Sequence, residues 1–204
     1  MITLQEMSQL TTLYTQPHRY YHNINHINDC LTELESIPQH GVTFGGHQLV
    51  GVDCDIIEKA IWYHDAVYNP YSKHNEHRSA ALLPDEKIGN DYYDNVREAI
   101  LATAKHLEIQ ENIQLTTKIM LDIDLSGFGQ PFDICWKHAQ NIRKEYYNTN
   151  DFDFLTGRLK FLNTIDNRSA LYYTKYFYDK YEVQARRNIA EEILKTTLAW
   201  HTAG

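Results

Sequence analysis

The stretch DCDIIEKAIWYHD, at residues 53–65, has its apolar side chains three and four positions apart. That spacing is typical of an α-helix with one side turned toward a core. The apolar side is formed by Ile56, Ile57, Ala60 and Ile61. The stretch ends in His64 and Asp65, so an apolar segment carries a pair of polar, metal-binding side chains. A pair buried in this way needs hydrogen-bond partners or a cation; the alternative is that Asp65 orients His64 or caps a turn.

Helical spacing recurs along the rest of the chain, which predicts an all-α protein. Most of the 9 Gly and 5 Pro lie between the periodic segments, and no internal repeat or linker-like segment interrupts these segments. We therefore expect a single domain over residues 1–204. The predicted helices cover about residues 3–14, 23–37, 53–64, 75 to just before 84, 92–106, 112–125, 131–148, 152–163 and 181–200.

The composition is that of an ordinary soluble domain, with 204 residues, 43 % hydrophobic and 23 % charged. A net charge of −8 argues against binding of extended nucleic acid. The sequence contains no membrane-length apolar run, and its first residues lack the pattern of a secretory signal, so we expect neither a leader nor membrane association. Its three Cys form no CxxC pair, and a reducing cytoplasm is the expected location.

Histidine is concentrated at the start of the chain, where nine of the 11 His fall within residues 1–106. His22 and His26 are spaced one helical turn apart, so both imidazoles could approach one site. The alternative is that both are surface or capping residues. His106 ends an apolar segment and could bind a substrate, although a lone His there is more often a C-terminal cap.

Two carboxylates occur in the segment LDIDLSGFG, residues 121–129. Asp122 and Asp124 lie among apolar side chains, where an unpaired carboxylate is costly. The alternative is a helix end with one Asp in solvent. Both are candidate metal ligands.

A further acidic and basic pair follows the His-Asp dipeptide, at Glu76 and Arg78. Glu76 could act as a general acid or base and Arg78 could bind phosphate. The alternative for Glu76 is a favourable interaction with a helix N-terminus.

The order of these groups, a His, then His-Asp, then a later Asp on separate helices, predicts the ligand set of one divalent cation. Imidazole and carboxylate ligands together suit Mn, Fe, Co, Ni or Zn better than Ca.

With these motifs in this order, the chain resembles the HD superfamily of metal-dependent phosphohydrolases, and within it a bacterial group of predicted metal-dependent HD phosphohydrolases. The segments that carry the resemblance are RYYHNINHI at 19–27, YHDAVY at 63–68, NEHRSA at 75–80, TAKH at 103–106, DIDL at 122–125 and EVQARRNIAEEI at 182–193. It implies a helical bundle of the HD type, with a metal-site core at about 18–128 and C-terminal helices at about 131–204.

The resemblance also implies roles for individual residues. The implied metal ligands are His26, His64, Asp65 and Asp124, with Asp122 as the alternative to Asp124. The implied catalytic residues are Asp65 and Glu76, and the implied substrate-binding residues are Arg19, His22, Arg78 and His106. The cofactor would be a divalent cation, Mn, Fe, Co, Ni, Zn or Mg.

The implied activity is hydrolysis of a phosphate ester of a small molecule, such as a nucleotide, by a metal-activated water. Two alternatives are a di-iron oxygenase or lyase of the HD type and a non-catalytic helical module with a structural metal. A homodimer is left open, because the Tyr-rich stretch LYYTKYFYDKY at 171–181 could form either an interface or part of the core.

Overall fold

α-Helices form nearly all of the regular structure, which confirms the all-α prediction. The structure is a computed structural model that describes residues 2–38, 43–84, 89–106, 108 and 111–203. Within these ranges the helices are α1 Leu4–Tyr14, α2 Ile24–Ser36, α3 Gly51–Tyr63, α4 Asn75–Ala80, α5 Asp91–Thr103, α6 Leu115–Asp124, α7 Phe132–Glu145, α8 Asp151–Asp166 and α9 Lys175–Ala203.

The apolar side of α3 lies in the middle of the core. All four side chains predicted to face inward are buried, and α3 packs against α5, α6 and α2. Full burial of an Ile or Leu side chain contributes about 1.5–3 kcal/mol. The same packing fixes the C-terminal end of α3, where His64 and Asp65 follow.

The start of α2 is fixed by a side-chain cap. Asn23 accepts a hydrogen bond from the backbone N–H of Asn25 at 2.8 Å, as expected of an N-cap. The cap places His26 in the first turn of α2, where it is buried. His22 precedes the cap, so the two histidines do not share a helix as their spacing had suggested.

The largest difference from the predicted helix bounds is at α9, which begins at Lys175, not near 181. The Tyr-rich stretch contributes to the core: Tyr172 and Phe177 are buried, and the Tyr172 hydroxyl donates to the carbonyl of Leu125 at 3.1 Å. The predicted ends of three other helices were too late by several residues, since α4 ends at Ala80, α5 at Thr103 and α7 at Glu145.

A short 3-10 turn, Leu125–Gly129, follows α6 directly and packs against α9. Gly129 is required there, because a Cβ at this position would overlap the ring of Tyr181. The close approach of this turn to α9 fixes the end of α6, and with it the position of Asp124.

The predicted loop after α2 is only partly described, since residues 39–42 lie outside the described ranges. The part that is described contains a tight turn closed by the pairing of Phe44 with His47. Among the described helices, none combines the length and the apolar character that crossing a membrane requires.

Candidate metal centre

Three side chains from three helical segments meet at one point: His26 from α2, His64 just after α3, and Asp124 at the end of α6. The His26 and His64 Nε2 atoms are 3.4 Å apart. Asp124 Oδ1 lies 3.1 Å from His26 Nε2 and 3.6 Å from His64 Nε2. All three ligand atoms lie within 4.8 Å of one another. The structure thus brings together three of the residues predicted to bind a metal ion.

Asp65 lies beside the same two imidazoles. Its Oδ2 atom is 3.1 Å from His64 Nε2 and 3.9 Å from His26 Nε2. Burial alone would raise the pKa of Asp65, but the neighbouring His64 and His22 hold it well below its ordinary value. Asp65 is therefore available as an ionised carboxylate at the edge of the cluster.

The hydrogen bonding of His64 defines which of its nitrogens faces the cluster as a ligand atom. Its Nδ1 lies 2.9 Å from the carbonyl oxygen of Ile61. A carbonyl can only accept, so Nδ1 carries the hydrogen, and in the neutral ring Nε2 holds a lone pair. This is the usual way in which a metal-binding His is oriented.

The two carboxylates around His64 Nε2 favour a positive charge at this position. This nitrogen faces carboxylate oxygens of Asp65 and Asp124, and all of these atoms are acceptors when the ring is neutral. Burial disfavours the charged ring, but the two carboxylates outweigh burial and raise the pKa of His64 well above its ordinary value. Either a proton or a metal ion satisfies this arrangement.

His106 contacts the second oxygen of Asp124. Its Nε2 lies 2.7 Å from Asp124 Oδ2, and its Nδ1 is buried without a hydrogen-bond partner among the described residues. Burial alone would raise the pKa of Asp124, but His64, His106 and His26 together lower it well below its ordinary value. His106, which was predicted to bind a substrate, thus contacts a candidate metal ligand.

Asp122 lies outside the cluster, which corrects its inclusion among the candidate ligands. Its two oxygens accept hydrogen bonds from the backbone N–H groups of Tyr173 and Thr174 and from the Thr174 hydroxyl, at 2.6–2.8 Å. These bonds hold the segment that leads into α9. Burial outweighs them and raises the pKa of Asp122 to about 7.

Arg19 does not line the cavities beside the cluster, although it was predicted to bind a phosphate group. Its guanidinium is buried and donates to the backbone carbonyls of His22, Asp65 and Ala66 at 2.7–3.0 Å. These bonds fasten the turn after α3 to the segment before α2. Arg19 therefore positions the two segments that carry the cluster.

His22 lies next to the cluster but is held by a residue that the sequence analysis missed. Its Nδ1 is 2.6 Å from Oε2 of Glu145, and its ring stacks on Tyr68 with centroids 4.1 Å apart. Burial disfavours the charged ring, but Asp65 and Glu145 raise the pKa of His22 above its ordinary value.

Glu145 also accepts from the backbone N–H groups of residues 20–22 at 2.7–2.9 Å. It is the last residue of α7, a position where the helix dipole disfavours an acid. Because the predicted helix continued to 148, this unfavourable placement could not be recognised from the sequence.

Glu76 and Arg78 are not brought into the cluster. Both lie on the short helix α4, where Glu76 is half-buried and Arg78 is exposed. Neither forms a hydrogen bond with a described residue of the cluster or lines the cavities beside it. The contacts of the described residues therefore give no support to the catalytic role of Glu76 or the phosphate contact of Arg78.

A cavity of about 460 Å³ opens beside the cluster, between the 3-10 turn, α7 and α8. Asp124, His106 and His22 form one part of its wall. Aromatic side chains and Arg158 form much of the rest. The helical spacing of α8 gave no sign that Arg158 would face this cavity.

The residues of the cluster fit a divalent metal ion. Two imidazole nitrogens and a carboxylate oxygen converge, a second carboxylate lies beside them, and no thiolate is needed. Imidazole and carboxylate donors together suit a first-row transition metal. The hydrogen bond that His64 Nδ1 donates to the Ile61 carbonyl and the one between His106 and Asp124 are of the kind that orients metal ligands.

No family model matches the chain, and no curated protein matches it in sequence.

Proposed function

We propose that this chain is a metal-dependent phosphohydrolase that hydrolyses a phosphate ester of a small molecule, such as a nucleotide. The observation that carries the proposal is the convergence of His26, His64 and Asp124 on one point. The cofactor would be one divalent cation, Mn, Fe, Co, Ni, Zn or Mg. The reaction class, hydrolysis of a phosphate ester, is inferred from the resemblance of the ordered motifs to those of HD phosphohydrolases.

The residues of the chain would have two roles: some would hold the metal ion, and one would accept a proton from water. A bound divalent ion supplies a coordinated water of lowered pKa and polarises a phosphoryl oxygen. His26, His64 and Asp124 would hold the ion, and His106 would keep Asp124 oriented. Asp65 Oδ2, ionised and 3.1 Å from His64 Nε2, is the carboxylate placed to accept a proton from a water beside the histidines.

The cavity supports a catalytic metal in preference to a purely structural one. Structural sites are closed by protein ligands, whereas catalytic sites keep positions open for water and substrate. Here Asp124 and His106 form part of the wall of a cavity large enough for a small organic ligand. A phosphate group that enters the cavity would meet the cluster at these residues.

The first experiment measures metal content and activity on the same purified sample. Elemental mass spectrometry gives the bound metals, and a panel of phosphorylated metabolites is screened with added Mn²⁺, Co²⁺, Ni²⁺ or Mg²⁺. We expect about one metal ion per chain and metal-dependent release of phosphate from one class of substrate.

Three variants test the assignment of the residues: His64→Ala, Asp65→Ala and Asp124→Asn. We expect His64→Ala and Asp124→Asn to lose bound metal and activity, and Asp65→Ala to lose activity. His201→Ala serves as the control, because His201 is exposed at the end of α9. Unchanged metal content and activity in the first three variants would overturn the proposal. Metal without turnover of any substrate would favour a structural or redox metal.

A further inference from the structure

Arg158 lines the cavity, and its guanidinium group has part of its hydrogen-bonding capacity free. Its Nε atom lies 2.6 Å from Oε1 of Glu192, a fully buried carboxylate on α9. Its Nη1 and Nη2 atoms donate to no acceptor among the described residues. The hydrogen bond from Nε is the one by which Arg158 links α8 to α9. The two terminal nitrogens therefore remain available to an anion, which a guanidinium binds with both at once.

Of the ion pair between Arg158 and Glu192, only the arginine borders the cavity. Arg158 forms part of the cavity wall, whereas Glu192 lies behind it. The guanidinium carbon sits 5.2 Å from the ring centre of Phe161 and 5.9 Å from that of Phe128. Contact with two rings and one carboxylate holds the group in a fixed orientation, so little side-chain entropy is lost when it binds a ligand.

The rest of the cavity favours an apolar, ring-bearing ligand. Five aromatic side chains contribute to the wall: Tyr21, Phe128, Tyr146, Phe154 and Phe161. The volume of about 460 Å³ is in the range of small-molecule sites and far exceeds a single phosphate group. An exposed acid, Asp153, also borders the cavity, at the start of α8.

We propose that Arg158, held by Glu192, binds an anionic group of a phosphorylated substrate whose apolar, ring-bearing body fills the cavity between the 3-10 turn, α7 and α8. This inference rests on the proposed function, since it assigns the substrate class for the same site. It favours aromatic phosphate esters over inorganic polyphosphate and over phosphates with small polar bodies.

Binding of phosphonates that cannot be hydrolysed tests the inference without requiring turnover. Naphthyl phosphonate and methyl phosphonate share the anionic group and differ only in the body. By titration calorimetry, with and without added Mn²⁺, we expect naphthyl phosphonate to bind at least about tenfold more tightly, because its rings are removed from water. Equal affinities, or binding of neither compound, would overturn the inference.

A double variant removes the guanidinium without leaving a buried charge. Arg158→Met alone would leave the buried Glu192 carboxylate without a partner, which destabilises the fold. Arg158→Met together with Glu192→Met replaces the whole pair by apolar side chains and avoids this. We expect the double variant to bind naphthyl phosphonate about tenfold more weakly or worse. Arg187→Met, at an exposed position of α9, is the matched control and should bind like the wild type.

A third variant fills the cavity from the side of α8. Gly157 borders the cavity, and a Cβ there would meet no atom within 4 Å. Gly157→Phe should therefore fold and should weaken naphthyl phosphonate binding far more than methyl phosphonate binding. Unchanged binding in both the double variant and Gly157→Phe would overturn the inference. Absence of metal-dependent hydrolysis in the wild type would count against the proposed function alone.

Discussion

At the scale of single residues, the two aspartates at the end of α6 have different roles although they are separated by one position. Asp124 faces three imidazoles, and Asp122 accepts three hydrogen bonds from the segment before α9. Both are surrounded by apolar neighbours in the sequence. What separates them is the direction of each side chain from the helix, which depends on where the helix packs.

Replacing each aspartate by asparagine should show that one of them stabilises the fold and the other binds the metal. Asp122→Asn places an amide among backbone N–H donors, so we expect a loss of about 1–3 kcal/mol in the free energy of unfolding, with metal binding retained. Asp124→Asn should abolish metal binding while the metal-free fold is retained. Urea denaturation and elemental analysis of the two variants measure both effects. The opposite pattern would show that the two assignments must be exchanged.

An ion pair between α1 and α3 predicts how stability depends on acid pH. Glu6 Oε1 lies 2.7 Å from Nζ of the buried Lys59, and the Tyr63 hydroxyl donates to the same oxygen at 3.0 Å. Burial alone would raise the pKa of Glu6, but hydrogen bonds from Lys59, Thr3 and Tyr63 lower it from 4.5 to about 2. A lowered pKa means that the ionised form favours the folded state.

The contribution of Glu6 should therefore be complete above its unfolded pKa of 4.5 and lost as the pH falls toward about 2. We expect Glu6→Gln to lower the free energy of unfolding at neutral pH by about 1–3 kcal/mol. The difference between wild type and variant should shrink steadily below pH 4.5. Urea denaturation at several pH values measures it, and a difference that is constant with pH would contradict the assignment.

At the scale of elements, the contact between the 3-10 turn and α9 depends on one glycine. Gly129 lies against the ring of Tyr181 with no room for a Cβ, and Asn188 of α9 donates to the carbonyls of Phe128 and Gln130 at 2.7 Å. The C-terminal half of the chain thereby fixes the turn that follows the candidate ligand Asp124.

Gly129→Ala should destabilise the protein by about 1–3 kcal/mol, because a well-packed contact must open to admit the methyl group. Gly157→Ala provides a contrast, since Gly157 lies in the middle of α8 with open space around it. That change should raise stability by about 0.5–1 kcal/mol through helix propensity. Thermal unfolding of both variants measures the difference. Equal effects would mean that the approach of Tyr181 does not restrict this position.

At the scale of the whole molecule, the candidate metal centre joins α2, α3 and α6, while a common apolar core holds these helices together independently. The core includes buried side chains from all three helices, such as Ile27, Ile57 and Ile119. The fold should therefore persist without metal, and metal should add stability to it.

We expect a divalent metal at 100 times its dissociation constant to stabilise the folded state by about 2.7 kcal/mol. The chelator-treated protein should show a cooperative thermal transition that shifts upward as metal is added back. Asp124→Asn should unfold at a temperature that does not change with metal concentration. A chain that is unfolded after chelation would instead indicate a structural metal.

The sequence alone determined the fold class and the main candidate ligands. Helical periodicity predicted most of the helices, because burial of one side of a helix imposes a spacing that is visible in the chain. The order of His26, His64-Asp65 and Asp124 likewise predicted that one group of side chains would meet.

Only the tertiary structure decided the contacts of the remaining residues. Arg19 was predicted to bind phosphate but is committed to backbone carbonyls, and Asp122 proved to hold the start of α9. Glu145 and Arg158 were missed, since neither follows a local pattern. Each makes its decisive contact with a residue far away in the chain: Glu145 binds His22, and Arg158 binds Glu192. Local spacing records which side of a helix is buried, whereas the partner of a buried polar group depends on which helices pack together.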